Sequence, residues 1–99
     1  MSAARPTVVI EYCPRCRWLA RAAWLAQELL TTFEAELGAV TLLPSAEAGV
    51  FEVRLGDETL FSRRAAGRHV DATELKRLVR DRIAPGRDLG HADRRREPA

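Results

Sequence analysis

The segment Thr7-Val-Val-Ile-Glu-Tyr-Cys-Pro-Arg-Cys16 decides how the rest of this chain is read. Its first six residues are mostly β-branched or aromatic and lie between Pro6 and Pro14, the composition and punctuation of a short strand. The period then changes. From Arg17 to Leu37 apolar side chains recur at helical spacing (Leu19, Ala22, Ala23, Ala26, Leu29, Leu30, Phe33, Leu37), and Gly38 stands where a left-handed C-cap is wanted. Cys13 and Cys16 therefore fall at a strand-to-helix junction. Cys13 is expected at the N-cap, Pro14 at the first helical position that proline favours, and Cys16 within the first turn.

Beyond that junction the chain offers three more strands and one more helix. Ala39 to Leu43 is apolar and ends at Pro44. Val50 to Leu55 alternates, with Phe51, Val53 and Leu55 on one face and Glu52 and Arg54 on the other. Gly56-Asp57 then makes a two-residue turn into Glu58 to Arg63, which reads as a β-hairpin. Asp71, followed three residues on by Glu74, resembles a capping box; Leu75, Leu78, Val79 and Ile83 form the apolar stripe of a helix that Pro85-Gly86 stops.

The order β-α-β-β-β-α predicts an α/β domain over residues 7–85. The first strand, first helix and second strand form a parallel unit, and the hairpin extends it into a four-stranded mixed sheet. This is the minimal thioredoxin-like layout. With two helices only, both are expected on one face, with Glu11, Glu52 and Arg54 sharing the other. Residues 86–99 are charged and lack periodicity, so a flexible tail is expected there, with Arg94-Arg95-Arg96 offset by Asp93 and Glu97.

Composition narrows the function classes. A chain of 99 residues that is 46% apolar is long enough for one self-sufficient core. The 16 basic and 14 acidic residues nearly cancel, so the net charge of +2 gives little pull toward nucleic acid or anionic lipid. No signal-like segment opens the chain and no apolar run approaches the roughly 20 residues of a membrane span, so a cytoplasmic location is expected. In that reducing compartment two cysteines three apart are read first as a redox or metal pair.

Three readings of the pair stand side by side. As a redox dithiol, Cys13 gains from the unpaired N–H groups and dipole of a helix start and from the charge of Arg15, which lower a thiol pKa; Cys16 is near enough to resolve a mixed disulfide. As a metal site the pair is half a ligand set, and His69 and His91, the only histidines, lie far apart and lack the spacing of a second half. The third reading is a chemically idle pair. The strand before and the helix after favour the dithiol.

Ile10-Glu11-Tyr12-Cys13-Pro14-Arg15-Cys16, then Gly49-Val50-Phe51-Glu52-Val53, then Leu60-Phe61-Ser62-Arg63-Arg64, together resemble the selenoprotein W-like family, within the selenoprotein W, T and H group. The resemblance runs from Val8 to about Pro85. It implies a thioredoxin-like fold and a redox role linked to glutathione or to protein thiols. In the selenium-containing members selenocysteine holds the second position of the pair, here Cys16. This chain has sulfur there and no third cysteine, so no other site is open to glutathione attachment. The cis-proline that ordinary thioredoxins carry beside the active site has no near counterpart, Pro44 being well before Val50.

The expected site is thus Cys13 and Cys16 as the reacting pair, with Arg15 as a carboxylate-binding residue for the substrate. No cofactor or metal is expected. Local physics nominates Cys13 as the attacking sulfur, because a cap residue stands outside its helix; the resemblance nominates Cys16, but with sulfur in place of selenium there the environment chooses the attacker, and Cys13 is expected. Trp18 and Trp24 serve either the core or a docking surface, and His69 is read as a surface histidine. Two functions follow. One is a thiol-disulfide oxidoreductase, and the other is a protein-binding module whose affinity changes with the redox state of the pair.

Overall fold

The computed structural model describes residues 5–90 and residue 93. Strand β1 (Thr7–Tyr12) is followed by helix α1 (Leu19–Thr32), strands β2 (Ala39–Pro44), β3 (Phe51–Leu55) and β4 (Glu58–Ser62), a four-residue helix α2 (Arg63–Ala66) and helix α3 (Ala72–Ile83). The sheet order is β2-β1-β3-β4, with β1 parallel to β2 and antiparallel to β3, and β3 antiparallel to β4. This is the expected mixed thioredoxin-like sheet, with one small helix added where β4 was expected to run on to Arg63.

Alternation decides which side of the sheet is covered. Val8, Ile10 and Tyr12 of β1 and Phe51 and Val53 of β3 are buried. With Ala22, Leu25 and Leu29 from α1, Phe33 just after it, and Leu75 and Val79 from α3 they form one core. Glu28 of α1 and Lys76 of α3 pair at 2.8 Å, tying the helices together. The opposite face carries the expected charges. Glu11 and Glu52 face each other across β1 and β3, an arrangement that would repel. Arg54 lies between them, at 3.0 Å from Glu11 and 3.3 Å from Glu52. A hydrogen bond from Ser45, with Arg54 beside it, holds the Glu11 carboxyl below its ordinary pKa against the opposing effect of burial.

The C-terminal end of α1 differs from expectation. Regular helix in α1 stops at Thr32, and the chain passes through a turn whose Leu37 N–H returns to the Phe33 carbonyl at 2.9 Å. Gly38 is not a left-handed cap. Its N–H donates to the Pro6 carbonyl at 2.8 Å, and a Cβ there would stand 2.6 Å from the Arg5 carbonyl oxygen. Glycine is thus required by close approach of two backbones as the chain enters β2. Helix α3 begins as read, with the Asp71 carboxylate accepting from the Glu74 N–H at 2.7 Å.

The tail expected from residue 86 includes residues 91, 92 and 94–99, which lie outside those described, His91 and Arg94-Arg95-Arg96 among them. Within the described part, Arg87 pairs with Glu36 at 3.0 Å and Arg80 with Asp93 at 2.6 Å, while Leu89 packs against the core. Among the described residues no helix is long and apolar enough to cross a membrane.

Candidate functional site

Strand β1 delivers Cys13 to the end of the sheet, where Tyr12 is flanked by Pro44 of β2 and Phe51 of β3. The chain then turns before it becomes helix. Arg17 donates its N–H to the Pro14 carbonyl at 3.0 Å, and Trp18 donates to the Cys13 carbonyl at 3.4 Å. Arg17 has φ +64°, in the left-handed region that non-glycine residues seldom occupy. That reversal separates the cysteines from the helix. The N-cap of α1 is Trp18, with no side-chain cap bond, so Cys13 is not the cap and Cys16 is not in the first helical turn. The expected helix-dipole contribution to the thiolate is correspondingly removed from the pair, since that effect fades within a turn of the terminus.

The turn itself supplies a donor instead. The Cys16 N–H points at the Cys13 sulfur, 3.2 Å away. The two Cα atoms are 5.3 Å apart and the sulfurs lie at disulfide distance. Exposure reverses the cap argument. Cys13 is buried, with 1% of its surface accessible, whereas Cys16 is partly exposed. Arg15 is exposed between them. Among the described residues no cluster of three or more His, Cys, Asp or Glu side chains is placed to hold a metal ion.

The aromatic residues near the turn divide. Trp18 is half-buried and meets the Phe51 ring edge-to-face, with centroids 6.2 Å apart. Trp24 is 51% exposed on the outer side of α1. His69 is not the surface residue expected from sequence. Its ring packs between Trp18, at 4.7 Å, and Phe51, at 5.5 Å, and its Nδ1 is buried without a hydrogen-bond partner. Burial, and then the charges of Arg21 and Arg63, lower its pKa below 6.5. Arg63, at the start of α2, lies over the Trp18 ring at 4.8 Å from its centroid. Sequence reading missed both Arg63 and His69 as neighbours of the dithiol turn. The partial signal for them was the Ser62-Arg63-Arg64 end of the hairpin, which the strand register returns to the same end of the sheet.

A four-stranded mixed sheet with helices and a Cys-x-x-Cys turn after its first strand defines a thioredoxin-like protein with a redox-capable pair. Residues 7–81 match the Rdx family, and the chain belongs to it. Two solved structures carry the same fold at substantial identity. A protein from Bordetella parapertussis is 46% identical, over 80% of this chain and 99% of that one, with a TM-score of 0.77. A selenoprotein W-related protein from Vibrio cholerae is 39% identical, over 78% of this chain and 95% of that one, with a TM-score of 0.75. No curated protein sequence is significantly similar to this chain. The family membership agrees with the resemblance read from the Tyr12-Cys13 and Gly49-Val53 motifs.

Proposed function

We propose that this protein is a cytoplasmic thiol-disulfide oxidoreductase in which Cys16 exchanges disulfides with glutathione or protein thiols and Cys13 resolves them. The observation that carries this reading is the asymmetry of the pair: one sulfur partly exposed, the other buried and hydrogen-bonded at 3.2 Å. An incoming thiolate reaches Cys16. The bond to Cys13 breaks, and the departing thiolate is stabilised by the Cys16 N–H that already faces it. In the opposite direction the Cys16 thiolate attacks a substrate disulfide, and Cys13, at 5.3 Å between Cα atoms, closes the ring and releases the product. The exposure of Arg15 within the turn supports a role for it in meeting a substrate carboxylate.

Equilibration in glutathione buffers of graded ratio, followed by thiol counting, tests this. A reversible two-electron transition is expected at about −200 to −270 mV, the range spanned by glutaredoxins and thioredoxin. Cysteines that stay reduced at every poise would refute it.

One observation favours the alternative of a redox-sensitive binding module. Leu19 and Leu30 lie on nearly the same line of α1 at 100° per residue, with Leu19 50% and Leu30 42% exposed, and the line starts three residues after Cys16. Capture of a partner by only one redox state, without turnover of any disulfide, is the result that reading requires.

A further inference from the structure

The sheet ends in two edge strands, β2 and β4, and only one of them is guarded. On β4, Glu58 is exposed and paired with Arg82 at 2.6 Å, and a register shift between Val53 and Arg54 interrupts the ladder with β3. An edge charge and a bulge both discourage the docking of a further strand. The β2 edge has neither. Its ladder with β1 keeps one register from Ala39 to Pro44, and no charged residue stands between Glu36 and Glu47, in a chain that is 30% charged. The two glutamates that bound this stretch are themselves neutralised, by Arg87 and Arg64.

Helix α1 continues the uncharged surface. Glu28 pairs with Lys76, so α3 lies on that side of α1. At 100° per residue Leu19, Ala23 and Leu30 fall roughly opposite Glu28, on the flank that looks out past β2, and all three are exposed. On the face of the sheet away from the helices, Leu43 is 41% exposed in register with Glu11. Strand edge, helix flank and Leu43 thus form one neutral, largely apolar strip.

A second copy of the same strand fits that strip. A two-fold axis at Thr41 sets Thr41 against its own image, Val40 against Leu42 and Ala39 against Leu43 of the second copy, so that on each face a smaller side chain meets a larger one. A two-fold contact brings residues near their own images, which a charged strip would penalise and this one does not. About ten residues from β2 and the α1 flank, each losing on the order of 60 Å², would bury about 1,200 Å² over the two copies, enough for a specific dimer of modest strength.

We propose that the protein forms a two-fold dimer by antiparallel pairing of its β2 edges, which joins the two sheets into one, with the Leu30 flanks of both α1 helices closing over the seam. The inference does not depend on the thiol-disulfide reading. The dithiol turn follows β1 rather than β2, and association is expected with the cysteine pair reduced as well as oxidised.

Sedimentation equilibrium of the full chain tests this, in excess reductant so that no intermolecular disulfide contributes. A reversible rise from 11.1 kDa toward twice that mass is expected between micromolar and submillimolar concentration. Thr41→Lys, which sets two like charges face to face, should weaken the dimer at least about tenfold. Leu30→Glu should weaken it without altering the strand, and so decides the matter if the Thr41 variant does not fold by circular dichroism. Thr59→Lys, exposed on the β4 edge, should leave the dimer unchanged. A chain that stays monomeric throughout, whether or not its β2 edge accepts an unrelated strand peptide, would overturn the proposal. So would a dimer that survives both Thr41→Lys and Leu30→Glu, or one that Thr59→Lys dissolves, since either result puts the interface elsewhere.

Discussion

The backbone N–H of Cys16 donates to the sulfur of Cys13 at 3.2 Å, so each cysteine of the pair determines the chemistry of the other. Cys16 holds the donor that stabilises negative charge on Cys13, and Cys13, buried at 1% accessibility, leaves Cys16 as the sulfur an outside molecule can reach. A thiolate that is stabilised but buried is a good leaving group and a poor attacker. This division of labour predicts the order of the exchange.

Offered glutathione disulfide near pH 7, the Cys13→Ser variant, which retains Cys16, should form the mixed disulfide faster than Cys16→Ser. Access is the larger effect, and a rate ratio on the order of tenfold is expected. Mass spectrometry of quenched samples follows the adduct. A faster Cys16→Ser variant would assign attack to Cys13, the order that a helix-capping position implies.

What was legible in the sequence was what short-range pattern determines. β1 was read with its observed bounds because β-branched residues between two prolines have few alternatives, and the Gly56-Asp57 turn set the hairpin. Asp71 announced its helix three residues ahead of Glu74. The start of α1 was not legible. Helical periodicity begins with Leu19, yet it could be extended backward to Arg17 because nothing in an arginine signals φ +64°. The surroundings of the site were less legible still. His69 and Arg63 reach Trp18 only because β3, β4 and α2 fold back across the end of β1, a contact over more than forty residues that no local period records.

Gly38 offers a test of the backbone geometry that starts β2. Adding a methyl group places a Cβ 2.6 Å from the Arg5 carbonyl oxygen, closer than any relaxed contact, and the obstructing atom is backbone. The segment before β1 would have to move, loosening the Gly38 N–H bond to Pro6. Gly38→Ala should lower unfolding free energy by about 1–3 kcal/mol, as overpacking does. In contrast, Gly86→Ala should be nearly neutral, since nothing lies within 4 Å of a Cβ there. Urea unfolding of the two variants makes the comparison, and equal stabilities would show that the Arg5 to Gly38 approach is not a constraint.

His69 gives the protein a predictable response to mild acid. Burial against Trp18 and Phe51 disfavours the imidazolium, and Arg21 and Arg63 add repulsion, so the folded-state pKa lies below the ordinary 6.5. The unfolded chain, with its histidine near 6.5, therefore binds the extra proton more readily than the folded one in the interval between the two pKa values. Stability due to neutral His69 is fully present above pH 6.5 and declines as pH falls through that interval toward the folded-state value. Urea midpoints read from tryptophan fluorescence should accordingly drop between pH 7.5 and pH 5.5. His69→Phe keeps an aromatic ring against Trp18 but has nothing to protonate and no unpartnered Nδ1, so its midpoint should stay nearly level across the same range. A variant whose midpoint falls as steeply as that of the wild type would place the acid sensitivity elsewhere and show that His69 is protonated at no cost to the fold.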